Sequence, residues 1–256
     1  MNRKTIIDSI IVILTFLIAF YGKRILSEYY TISISSAYLK IAYSYLWWIL
    51  PTALIAGLLF GFSSILYNIG IQKGLKTGLL FSIVTVLPMF LSSAIIGQVG
   101  EDLNILRLVQ QTIFAGLMEE YLFRGFLFGI LFRKSGWGFI PASILGALIF
   151  GLGHIYQGST FLETTGVFFI TSIGGIWFAW LYIEWNNNLW VPIFLHILMN
   201  ISWGLFEVSN NALGGFYTNL FRIITITLTI IITIKYNQKN GLRINSKNLI
   251  INDNNR

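Results

Sequence analysis

The chain has no cysteine, only two histidines and only 11% charged residues. The first absence removes disulfides, thiolate nucleophiles and Cys-ligated zinc together. It leaves the redox compartment open, because a lipid-embedded chain has little use for disulfides. The scarcity of charge excludes an ordinary soluble domain, in which about a quarter of residues are charged. What is there instead is apolar: 55% hydrophobic residues among 256, with a mean hydropathy of +0.74. That is the composition of an integral membrane protein, and no long polar stretch leaves room for a soluble domain beside it. The net charge of +7 does not point to nucleic acid, since the basic residues form no patch. They sit at the ends of apolar segments, as the positive-inside rule requires.

The first apolar run, 5–22, follows Arg3 and Lys4. Ala19-Phe20-Tyr21 is a poor small-residue cleavage site and Lys23-Arg24 follows at once, so an uncleaved first helix is expected. Further runs lie near 41–66, 75–97, 107–132, 138–157, 161–183, 188–206 and 216–235. Each approaches or exceeds the ~20 residues a spanning helix needs. The expected fold is therefore all-α, a multi-pass transmembrane bundle of about eight helices forming a single domain over 1–235. With the N-terminus inside, the inner side collects Arg3, Lys4, Lys73, Lys76, Arg133, Lys134 and the basic residues from Lys235 on. The outer loops turn acidic at Glu101, Asp102, Glu163 and Glu207, and only the first, with Lys23, Arg24 and Lys40, runs against the pattern. Both termini are thus expected in the cytoplasm. The stretch 236–256 is polar and rich in Asn, and a loosely ordered cytoplasmic tail is expected there. No internal repeat is visible, which argues against an inverted-repeat transporter.

Against this background GLMEEYLFRGFLFG, 116–129, is anomalous, because an apolar run carries Glu119, Glu120 and Arg124 at its middle. Each charge costs about 2.5 to 3.5 kcal/mol at the bilayer centre unless paired, turned inward or wetted. Both histidines also fall in apolar runs: His154 in LIFGLGHI, and His196 in VPIFLHILMN with Asn200 four residues on. Helical spacing puts Glu120 and Arg124 on one face and His196 and Asn200 on another, with Glu119 about 100° around from Glu120. Phe150 stands one turn before His154 on its face. At 1.5 Å per residue, Glu119, His154, His196 and Asn200 come out roughly 12 to 22 Å from one side, a single band.

Taken singly, each has a bland explanation. Glu120–Arg124 is a structural ion pair, a lone His or Asn is interhelical glue, and Phe150 is packing. Together, two carboxylates, both histidines and an asparagine on three helices suit water activation better than glue. Two adjacent carboxylates in a low-dielectric site do not both ionise freely unless a cation offsets them. A carboxylate beside a neutral imidazole can take a proton from water, and the hydroxide can attack an amide carbonyl. Asn200, or His196 protonated on the facing nitrogen, can then donate to the oxyanion. The same groups, Glu119, His154 and His196, can instead hold a divalent metal such as zinc that acidifies the water. The residues alone do not choose. Other intramembrane hydrolases fail on their requirements: there is no G-x-S-G, neither histidine begins H-E-x-x-H, and of Asp8, Asp102 and Asp253 two lie outside the apolar runs.

The three motifs together resemble a known family. EEYLFRGFL, 119–127, is similar to its E-E-x-x-F-R-G motif; LIFGLGHI to its F-x-x-x-H; and NLWVPIFLHILMN, 188–200, to its H-x-x-x-N with an aromatic-x-Pro lead-in. The family is CPBP, the CAAX proteases and bacteriocin-processing proteins, also called Abi, and the likeness covers about 107–206. It implies an intramembrane endopeptidase acting on a small or membrane-associated, in some members lipidated, peptide. It makes Glu119 the water-activating base with His154, and Glu120 a second acid held by Arg124. His196 and Asn200 become oxyanion donors or, with metal, share in its ligation. Two other functions compete. A non-catalytic immunity or regulatory protein would use the same fold for binding, but has no need to keep Glu119, His154 and Asn200 together. A proton-coupled carrier would explain buried Glu and His, but the missing repeat argues against it.

Overall fold

The computed structural model describes residues 3–30, 32–100 and 103–252. Glu101 and Asp102 of the expected acidic loop, and the last four tail residues, lie outside them. Among the described residues the chain forms nine helices and no strand: α1 (Arg3–Ser27), α2 (Ala37–Phe60), the short α3 (Ile65–Ile69), α4 (Leu75–Ile96), α5 (105–134), α6 (Phe139–His154), α7 (Phe161–Glu184), α8 (Trp190–Gly204) and α9 (Phe216–Asn237). Six are long and apolar enough to cross a membrane: α1, α2, α4, α6 with its 3₁₀ extension to Gln157, α7 and α9. α5 is a rod of roughly 40 Å interrupted by wider π turns. α8, with 15 residues, is apolar but shorter than a full span. The run read as 41–66 starts earlier and stops at Gly61, whose φ of 92° ends the helix.

Helices are the expected outcome where no water can satisfy open backbone groups. Their ends carry local signals. Asn104 Oδ1 accepts from Arg107 N at 2.9 Å to start α5, and Thr160 Oγ1 accepts from Glu163 N at 3.2 Å to start α7. In α9 side-chain polarity is inverted relative to a helix of a soluble bundle. Every buried residue of α9 is polar: Thr218, Thr225, Thr229, Thr233 and Asn237. Trp177 Nε1 donates to Thr229 Oγ1 and Trp185 Nε1 to Thr233 Oγ1, while Ile223, Ile230, Ile231 and Ile234 face outward. Outside water, hydrogen bonds and close contact hold helices together, and apolar surface is left for lipid.

The chain's two ends meet at the same end of the bundle. Trp137, between α5 and α6, donates to Ser9 near the start of α1 and bridges to Ile251. The tail is not the loose extension expected: 238–252 folds back over this end. Glu184, wholly buried at the close of α7, accepts from Asn237 Nδ2 and from the backbone N–H groups of Arg243 and Ile244. The Asn-rich composition therefore supplies inward hydrogen bonds instead of solvation. The opposite end carries exposed Tyr29, Tyr30, Tyr38, Tyr156, Phe161 and Tyr217, the composition of an aromatic belt at a membrane boundary.

Candidate active site

The charged segment sits in an unusual part of α5. Ala115 N–H reaches back to Gln110 O and Gly129 N–H to Arg124 O, five residues each, so 110–114 and 121–128 are π-helical. Between them Ala115–Glu120 is α-helical and presents both glutamates. Such widened turns are rare and concentrate at functional sites.

Arg124 is 3% exposed, and its Nη1 donates to Glu120 Oε1 at 3.0 Å. Its guanidinium lies 4.6 Å from the ring centre of Phe150, 5.4 Å from Phe178 and 5.9 Å from Phe123. Three helices thus supply π faces to a cation with one carboxylate partner, which is how a buried charge is tolerated without water. Glu120 is wholly buried, and its Oε1 also accepts from His196 Nδ1 at 2.8 Å. His196 Nε2 then faces Glu119, with Oε2 at 3.9 Å. Glu119 is the open member of the set at 22% exposure. Gly116, one turn earlier, lets α5 lie against α8: a Cβ there would stand 2.7 Å from Ile197 Cγ1 and 2.9 Å from its backbone nitrogen.

His154 is the last residue of α6. Its Nδ1 lies 2.7 Å from the carbonyl oxygen of Phe150. A carbonyl only accepts, so Nδ1 carries the hydrogen and Nε2 keeps its lone pair. The Phe150 ring lies between the two imidazoles, 4.3 Å from His154 and 6.5 Å from His196. Asn200 Nδ2 donates to Gln111 O at 3.1 Å, two turns before Glu119 on α5, and its second amide hydrogen remains for another acceptor.

Glu119, Glu120, Arg124 and His196 are thus in one chain of contacts, with Phe150 and His154 joined through a ring. Glu119 and His154, read as a working pair, share no hydrogen bond or ion pair among the described residues. The His154 ring is turned back onto its own helix. Nor do Glu119, His154 and His196 fit a preformed metal site. Among the described residues no group of three or more His, Asp or Glu is placed to hold an ion, although Nε2 of each imidazole stays open because Nδ1 is the engaged nitrogen.

Several neighbours escaped the sequence. Phe123 lies within the E-E-x-x-F-R-G motif and could have been read there. Phe178 is one aromatic among many in α7, yet it touches both Arg124 and His196, the latter at 5.5 Å. Tyr45 of α2, stacked on Phe114, lies within electrostatic reach of Glu119. Nothing local marks either.

Comparison with a family model falls on this region. Residues 101–202 match the family model described as Type II CAAX prenyl endopeptidase Rce1-like. The chain is 33% identical over 95 residues to "Putative membrane peptidase YdiL" of Bacillus subtilis (strain 168). That alignment covers 37% of this chain and 34% of the relative, so the chain spans about a third of the curated protein it matches. No solved structure matches. The chain is a multi-pass helical membrane protein whose motif-bearing core falls within the matched segment. That segment, less than half of the chain, carries the three motifs that resemble the CPBP family of CAAX proteases and bacteriocin-processing proteins.

Proposed function

We propose that this protein is an intramembrane endopeptidase that hydrolyses a small or membrane-associated peptide with water activated by Glu119. The observation that carries this reading is the contact chain Arg124–Glu120–His196, which ends beside the partly open Glu119. Glu120, neutralised by Arg124, orients the His196 ring so that Nε2 points at Glu119. A water about 2.8 Å from Glu119 and from an imidazole nitrogen sits at ordinary hydrogen-bond distance. Glu119 takes its proton as the oxygen attacks the peptide carbonyl carbon. The His154 Nε2 lone pair is the second acceptor for that water once substrate draws the groups together. The developing oxyanion receives the free amide hydrogen of Asn200, with His196 as imidazolium donating through Nε2. In that form the four charged groups sum to zero, as a low-dielectric site favours. The C–N bond then breaks, the amine leaves with the proton Glu119 collected, and the carboxylic acid product keeps the water oxygen and its remaining proton.

In this reading the chain works as one membrane domain over 1–235 with its catalytic core at about 107–206. Both termini lie in the cytoplasm, as the basic residues at that end favour. The test is a peptide library presented to the purified protein, with metal content measured and chelator added. We expect cleavage that survives chelation. Activity lost to chelation and restored by zinc would return the metal route. A wild type that cuts nothing while the Glu119→Gln variant keeps the cellular phenotype would favour a non-catalytic immunity or regulatory partner.

A further inference from the structure

The stretch 238–252 has two unlike sides. Inward, it is fastened by polar groups. The N–H groups of Gly138, Phe139 and Ile140, which open α6, donate to the carbonyls of Ile250, Asn248 and Leu249 at 3.0, 2.9 and 2.9 Å. Asn252 N donates to Gly136 O at 3.1 Å, and its Nδ2 to Phe132 O, near the close of α5, at 2.8 Å. Glu184 holds Arg243 and Ile244 by their backbone at 2.9 and 3.0 Å. A Cβ on Gly138 would run into the Ile250 backbone, so glycine is required for this seat.

Outward, the same stretch presents Leu242, Leu249, Ile250 and Ile251, which are 36 to 59% exposed, interleaved with exposed Lys239, Arg243 and Lys247. Neighbouring Lys73, Lys76 and Lys235 are also exposed. The acidic residues described at this end, Asp8 and Glu184, are buried at 7% and 0%. Among the described residues the outward charge here is therefore of one sign. Water is a poor environment for four exposed aliphatic side chains, and the strap is bonded to the ends of α5, α6 and α7, which in a membrane sets it near headgroup depth.

We propose that this strap is a binding surface for anionic phospholipid headgroups of the leaflet on its side. The aliphatic side chains enter the boundary between headgroups and acyl chains, as in interfacial segments. Lys239, Arg243 and Lys247 pair with lipid phosphates. A cation near an anionic surface contributes about five-fold in preference, about 1 kcal/mol. The strap also supplies the acceptors at the start of α6, so lipid binding braces the helix that carries His154.

The chain has no cysteine, so Ile250→Cys gives a single thiol for an environment-sensitive fluorophore. The labelled full chain is placed in nanodiscs of phosphatidylcholine alone or mixed with phosphatidylglycerol. We expect a blue shift that grows with phosphatidylglycerol and collapses at about 1 M salt, where the screening length falls to about 3 Å. Combining Lys239→Gln, Arg243→Gln and Lys247→Gln should move the half-maximal phosphatidylglycerol fraction upward, while helix content by circular dichroism stays unchanged. Identical spectra in both lipids would overturn the proposal, as would a triple variant that keeps the full response. So would a larger shift with soluble heparin than with any lipid, which would make the partner a polyanion. None of these readings depends on peptidase activity.

Discussion

At the residue scale, Glu119 and Glu120 are neighbours in sequence but sit in different surroundings, one partly open and one wholly buried, and substitution separates them. Among the described residues Glu120 is the sole carboxylate paired with Arg124, which is 3% exposed. Glu120→Ala should cost about 3–5 kcal/mol by stranding a buried cation, seen as a lower thermal midpoint and lost cleavage together. Glu119 is partly open and is paired at most loosely with His196 at 3.9 Å. Glu119→Gln should change stability by less than about 1 kcal/mol and still abolish cleavage. Equal destabilisation by the two would mean that both glutamates are structural. The charged trio and the histidine–asparagine spacing were legible in the sequence because ionisable groups are costly in apolar runs. The tautomer of His154, and which carboxylate holds His196, were not. Those depend on ring orientation, which spacing along a helix does not specify.

At the element scale, α5 lies close to α8 because position 116 lacks a side chain. Gly116→Ala should push the helices carrying Glu119 and His196 apart, at about 1–3 kcal/mol, with cleavage slowed by at least ten-fold. Gly174 of α7 meets nothing within 4 Å, so Gly174→Ala should be neutral or stabilise by about 0.4–1 kcal/mol and leave the rate unchanged. Thermal unfolding and cleavage of the pair decide whether close approach matters. Apolar run length revealed the spans because a helix is the only open-chain structure that satisfies its backbone in lipid. The π turns at 110–114 and 121–128 were invisible, since no residue type signals them. The short α8 was overestimated because apolar character continues past Gly204, where the helix stops.

At the scale of the whole molecule, both chain ends and the start of α6 gather on one side, opposite the exposed tyrosines. Single cysteines replacing Lys4 and Lys247 should therefore react from the same side of sealed vesicles, and one replacing the exposed Asn210 from the other. In inside-out vesicles the first two should be the reactive ones. Labelling of Lys4→Cys and Lys247→Cys from opposite sides would break the topology. Even helix number made the shared side of these segments readable in advance. The folded tail was missed because its asparagines resemble a solvated linker until the groups they satisfy, such as Glu184, are seen in space.

The central claim is that Glu119 activates the attacking water. Its most direct test is the single-turnover cleavage rate of wild type against Glu119→Gln in the same lipid, with thermal midpoints measured alongside. The account predicts a rate that falls to background in the variant while the midpoint holds. Cleavage by Glu119→Gln at the wild-type rate would contradict it.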